Sequence, residues 1–334
     1  HFVYDCCPTT GASAFFALHA AGMFKAVPEL RGMYFDFGNA GECNNELHGC
    51  SQRYPLLAQR EFYRRIALAQ LDAGIQDPVI VVHNTDKLLL PAFTFATHLL
   101  NGERVRQASS SILHNKKDIL DSYELPVFAS ELATLPFGIA NSVYMPFDRL
   151  SERFGGDEED EPYKFRMTKA AMAATLIHNT VPCLWRMHYG IFDKLLRHYA
   201  RFEVPEAHFF GYWENPVKVI EGQDVYVSVY RHKNANRALL VIGHVGKPHT
   251  DQDITLELDP AKLKLHDLHH AVDLMTAPDP DYEWLLQRRR EKNVPAVRAP
   301  LALGDFGSKV IAFDGKTLKM KLAFHSFAIV ELTE

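Results

Sequence analysis

Cysteine is scarce in this 334-residue chain, occurring only as Cys6, Cys7, Cys43, Cys50 and Cys183. Five is too few for a disulfide scaffold, and an odd count leaves at least one thiol free or paired between chains. No apolar run approaches the roughly 20 residues a membrane span requires, and no basic-then-apolar segment opens the sequence. Positive charge is not in excess either. The 36 Lys and Arg stand against 41 Asp and Glu, a formal charge of −5, which removes the electrostatic footprint of a nucleic-acid or membrane-surface binder. There is no glycine-rich phosphate loop, no G-x-S-x-G elbow and no H-E-x-x-H helix, so nucleotide, serine-hydrolase and zincin chemistry lose their usual signatures. The partner this leaves is a neutral or mildly polar molecule.

What is present suffices for a large core, since 47% of the residues are hydrophobic. Apolar strand-like runs at residues 2–5, 33–37, 79–83, 126–130 and 181–185 alternate with helical patterns at 55–73, 91–100 and 164–177. Such alternation predicts parallel β/α units over residues 1–213. From residue 214 the pattern changes to short strands at 217–220, 225–230, 238–242, 254–258, 310–313, 318–322 and 327–332, which predict an antiparallel β-sandwich over 214–334. Asp314-Gly315 between two of these runs is a hairpin signal, and residues 282–292 read as a short helix. The chain starts at His1 on what reads as a core strand, so a processed or incomplete N-terminus is expected.

The most informative stretch is Tyr34-Phe35-Asp36, an apolar run that ends on a carboxylate and opens into a loop dense in polar groups. Barrel enzymes present their chemistry at such strand ends. Asp36 is therefore the first candidate acid, base or nucleophile. Glu131, after the run at 125–130, is the second, and two carboxylates converging across a barrel mouth are what glycosidic hydrolysis needs. Asp5 and His83 close other strand-like runs and are candidates for substrate binding, as are Glu42 and His48 in the loop after Asp36. Trp185 and His188 follow the run at 181–185, and aromatic rings suit the flat C–H faces of sugars. Cys43, His48 and Cys50 also invite a metal reading. Their spacing fits no standard zinc template, a disulfide or two packed thiols being the alternatives, and no metal or cofactor is assigned.

The order Tyr34-Phe35-Asp36, Cys43-Asn44-Asn45-Glu46-Leu47-His48-Gly49-Cys50, Val82-His83 and Leu90-Pro91-Ala92-Phe93 resembles the barrel half of a bacterial glycoside hydrolase-like family distantly related to glycoside hydrolase family 123. Ser130-Glu131-Leu132, Tyr212-Trp213 and the closing Ser326-Phe327-Ala328-Ile329-Val330 are similar to its later segments. The resemblance implies a (β/α)8-type barrel, incomplete at the N-terminus, followed by a β-sandwich. It implies a glycoside hydrolase acting on an oligo- or polysaccharide without a cofactor, in a periplasmic or secreted setting with a cytoplasmic one as the alternative. A second chain or a missing N-terminal segment would complete the barrel. Family 123 uses adjacent Asp and Glu residues for substrate-assisted cleavage; the Glu159-Asp160 pair here falls in an acidic loop instead. The rival readings are a non-catalytic carbohydrate-binding relative and a metal-dependent hydrolase built on Cys43, His48 and Cys50.

Overall fold

The computed structural model describes residues 6–36, 38–48, 50, 54–84, 88–102, 118–121, 123–132, 138–144, 161–180, 182–183, 187–246, 250–291 and 305–334. The strands expected at 2–5 and most of 181–185, with Asp5 and Trp185, lie outside these residues, as does most of the acidic loop at 155–162. The chain divides into two compact units, residues 1–104 with 134–142, and residues 105–133 with 143–334.

The first unit is built on β1 (Gly32–Phe35), β2 (Val79–His83) and β3 (His98–Asn101), joined at the sheet's far edge by β4 (Ala140–Val143) in the order β1-β2-β3-β4. β1 pairs parallel with β2, and β2 with β3. Helix α1 (Gly11–Ala26) is capped by the Thr10 hydroxyl, and α2 (Leu56–Asp72) crosses between β1 and β2. Ile80, Val82 and Leu99 from the strands pack with Tyr63, Ile66, Ala69, Ala20 and Phe24 from the helices in one apolar cluster. The alternation of a strand then assigns the faces: Phe35 meets Phe62 and Tyr63 of α2, so Tyr34 and the neighbouring Asp36 point the other way. No closed barrel is formed among the described residues.

The second unit is a sandwich of two antiparallel sheets. One has the order β10-β13-β8-β7-β5 and the other β11-β12-β9-β6. The strands are β5 (Ala207–Phe210), β6 (Val217–Glu221), β7 (Val225–His232), β8 (Ala238–His244), β9 (Gln252–Leu258), β10 (His270–Asp273), β11 (Lys309–Phe313), β12 (Thr317–Leu322) and β13 (Phe327–Thr333). Val229, Leu240, Ile242, Val330 and Leu332 face Leu256, Leu318 and Met320 across the interior. The outer face of the five-stranded sheet is covered as well, because Leu239, Val241, Phe327 and Ile329 join a second cluster with α3 (Glu161–Leu176) and α4 (Tyr189–Phe202). All seven residues of β8 are buried in consequence. Such a strand reads as a continuous apolar run, and Ala-Leu-Leu-Val-Ile-Gly-His is one. Helix α3 approaches so closely that a Cβ on Gly243 would stand 2.3 Å from the Ala173 carbonyl oxygen. Asp314-Gly315 does turn β11 into β12, with Gly315 at φ +91°.

Two expectations are corrected. Residues 126–130 are not a strand: Leu125–Val127 form a helical turn that continues as a π-helical turn over Phe128–Leu132. Pro126 removes a ladder donor but suits a first helical turn, and the Ser130 hydroxyl donates to the Pro126 carbonyl one turn back (2.8 Å). Residues 91–100 are not a helix, since turns over 90–95 lead into strand β3. Of the expected barrel portion, the described residues show the four-stranded sheet with its parallel pairs β1–β2 and β2–β3.

Candidate functional site

Asp36 lies directly after β1 and His83 ends the adjacent parallel β2, so the two side chains emerge at the same sheet edge. His83 Nδ1 is 2.7 Å from Asp36 Oδ1, and the Tyr34 hydroxyl donates to the same carboxylate oxygen at 3.2 Å. Tyr34 Oη is also 2.9 Å from His83 Nδ1, so the three groups form a closed triangle in which the imidazole N–H can serve both oxygens. His83 is buried while the Asp36 side chain is 56% exposed, which places the carboxylate outermost on a positioned base. His98 follows on the same face, because its register partner Val81 sits two residues before His83.

The loop beyond Asp36 is tied down at once. Gly38 is buried, and its carbonyl accepts from the Tyr63 hydroxyl at 2.6 Å and from Gln59 at 3.4 Å. A Cβ at Gly38 would meet Val82 at 2.2 Å, so this position requires glycine. Burial pushes the Tyr63 phenol far above its usual range, keeping it a neutral donor. Asn39 then donates to the Asn84 side chain at 3.1 Å. Beside these residues a cleft of about 260 Å³ opens between α1, β1 and α2, its lining including Asp36 and the apolar Phe16, Phe35 and Phe62.

The other expected residues are scattered. Glu42 is exposed on the loop, and His48 sits at the end of the 3-10 turn Glu46–His48, 3.2 Å from the Cys43 sulfur. Glu131, in the second unit, is exposed on the turn over Phe128–Leu132 rather than at a strand end. His188 is buried and caps α4, its Nδ1 accepting from the Ile191 N–H at 3.3 Å. Burial pulls its pKa down to about 4, so the ring is neutral at pH 7. In the second unit Trp213 is 55% exposed and stacks on His178, with rings 6.1 Å apart at 23°. Tyr212 stands edge-on to both rings.

Sequence reasoning missed Tyr34 and Cys7. Tyr34 could have been found from the two-residue period, which places it on the face of Asp36. Cys7 could not, for it joins Cys43, His48 and Cys50 only through the fold.

No protein-family model matches the chain, and no curated protein matches it in sequence, so the resemblance to relatives of glycoside hydrolase family 123 has no matching family model behind it. Solved structures do match. One is a glycoside hydrolase family 27 β-L-arabinopyranosidase from Geobacillus stearothermophilus, 12% identical with a TM-score of 0.47. Another is a variant of that enzyme in complex with arabinose, 11% identical with a TM-score of 0.46. Each match covers 97% of this chain and 62% of the other, so the chain spans about three fifths of those enzymes' length.

Proposed function

We propose that this chain belongs to a glycoside hydrolase cleaving oligo- or polysaccharides, with Asp36 as a carboxylate at the reaction centre. The observation that carries the reading is the Asp36–His83–Tyr34 triangle at the C-terminal edge of parallel strands β1 and β2. Two donors on one oxygen fix the plane of a carboxylate that is otherwise exposed, which is the orientation a nucleophile or a base for water requires. His83 and Tyr34 act as positioning residues, and the phenol offers a further polar contact to a sugar hydroxyl. The family resemblance names Glu131, exposed in the second unit, as the second candidate carboxylate. Trp213, in the second unit, offers an exposed aromatic face of the kind that stacks on a sugar ring.

The test is hydrolysis of a panel of aryl glycosides and natural oligosaccharides by the wild-type chain and by Asp36→Asn, Glu131→Gln and His83→Ala. Turnover that vanishes in the first two variants and falls in the third supports the reading. Saccharide binding without turnover in the wild type replaces it with the non-catalytic carbohydrate-binding alternative.

A further inference from the structure

Cys7 is distant in sequence from Cys43, His48 and Cys50, yet each of the four brings one ligand atom into a group whose atoms are all within 4.8 Å of one another. The Cys7 and Cys50 sulfurs are 3.7 Å apart, and Cys43 Sγ is 3.2 Å from His48 Nε2. A disulfide holds its sulfurs at roughly 2.0 Å. Two thiolates on one tetrahedral zinc, at about 2.3 Å each from the metal, stand roughly 3.8 Å apart. The sulfurs therefore keep the spacing of co-ligands and not that of a bonded pair.

We propose that these four residues form a structural zinc site of the Cys3His type. Three thiolates and an imidazole are the soft and borderline donors that select zinc, and four protein ligands close the tetrahedron, leaving no position for a reacting water. A closed site is a staple and not a catalyst. It clamps the segment preceding α1 to the loop that follows β1, and Cys6, beside the ligand Cys7, lines the same cleft as Asp36. The Thr9 hydroxyl lies 3.0 Å from the Cys7 sulfur. His48 Nδ1 is buried with no hydrogen-bond partner among the described residues, so the ring's polar contact there is to sulfur through Nε2. The assignment does not rest on the proposed hydrolase activity.

The experiment is elemental analysis of the full chain, purified without a metal-affinity tag, together with cobalt substitution. About one zinc per chain is expected. It should fall below about a tenth of that in Cys7→Ser and in Cys50→Ser, and stay unchanged in Cys6→Ser and Cys183→Ser. Should the ligand variants fail to fold, the cobalt-loaded wild type still reports: thiolate-to-cobalt charge-transfer bands with the strong d–d absorption of a tetrahedral site support the assignment. Metal-free protein after zinc is offered under reducing conditions, absence of those cobalt bands, a disulfide among the three cysteines in zinc-supplied protein, or loss of zinc in Cys6→Ser would each overturn it.

Discussion

The two units of this chain hold themselves together in different ways. The second gathers two apolar clusters, one on each face of a five-stranded sheet, and buries β8 along its whole length. The first has a single smaller cluster, strands of four or five residues, and a helix α1 that leaves Phe15, Leu18 and Met23 exposed. A small core supplies few kcal/mol beyond the conformational entropy it must offset, which is where staples such as a bound metal contribute most. The richer unit holds the buried Asp118, Asp121 and His325 group, and the poorer one carries the cysteine cluster and the Asp36 triangle. The cysteine cluster and the Asp36 triangle thus lie in the region with the smaller core, and substitutions should separate their effects from those on the larger one.

The largest expected effect is on activity. Asp36→Asn should lower kcat/KM by about 10³-fold, within the range for losing a positioned acid–base or nucleophilic group, and leave the melting temperature within a degree or two, because the side chain is exposed. A full-length melt beside the rate measurement checks both halves, and a parallel loss of stability would break the division. Gly243→Val should do the opposite. Its side chain would collide with the Ala173 carbonyl, costing about 3 kcal/mol by overpacking, so denaturant midpoints should fall while the metal site, in the other unit, keeps its zinc.

Acid separates the units by mechanism. Burial lowers the His198 pKa to about 4, so the folded ring stays neutral where the unfolded one, with a pKa near 6.5, takes up a proton. The folded pKa lies below the unfolded one for a base. Stability is therefore full above pH ~6.5 and declines as pH falls toward 4, and His188 behaves in the same sense. His198→Gln should flatten that slope by about 1 kcal/mol or more per pH unit, read from unfolding curves between pH 4 and 7. His325 runs the other way: burial opposes its charge, but the Asp118 carboxylate at 2.8 Å raises its pKa, so its contribution is full below the unfolded value and is lost as pH rises through the folded one. A chelator at neutral pH should leave these histidine effects untouched and act on the first unit alone. The smallest effect is expected at the hairpin. Gly315→Ala places a Cβ at φ +91° and 2.8 Å from the Leu268 carbonyl oxygen, a cost of about 1 kcal/mol measurable by chemical denaturation.

How far the sequence could be read differs between the units for the same physical reasons. All seven expected sandwich strands are present within a residue or two, because alternating or continuously apolar runs punctuated by turn residues carry their own signal. Strand β2 and helix α2 were equally legible. Residues 91–100 failed as a helix because Thr97 bonds to β2, its hydroxyl accepting from the Ile80 N–H at 3.0 Å, and that pairing draws His98–Asn101 into the sheet. Residues 126–130 failed as a strand because a short apolar run containing proline is ambiguous until its neighbours are known. Helix α1 is apolar nearly all round and shows no separate face, whereas α4 carries apolar residues at helical spacing (Ile191, Leu195, Tyr199, Phe202) that the reading of the sequence passed over.

By itself the sequence determined the α/β-then-β order, the absence of a nucleic-acid charge pattern and the placing of Asp36 at a strand end, since composition, period and turn chemistry are local properties. Only the tertiary structure decided that His83 and Tyr34 hold that carboxylate, that His188 caps a helix, and that Cys7 meets three residues more than thirty positions away. Parallel pairing brings strand ends together whatever lies between them in the chain, and a cluster of ligands exists only as distances in space.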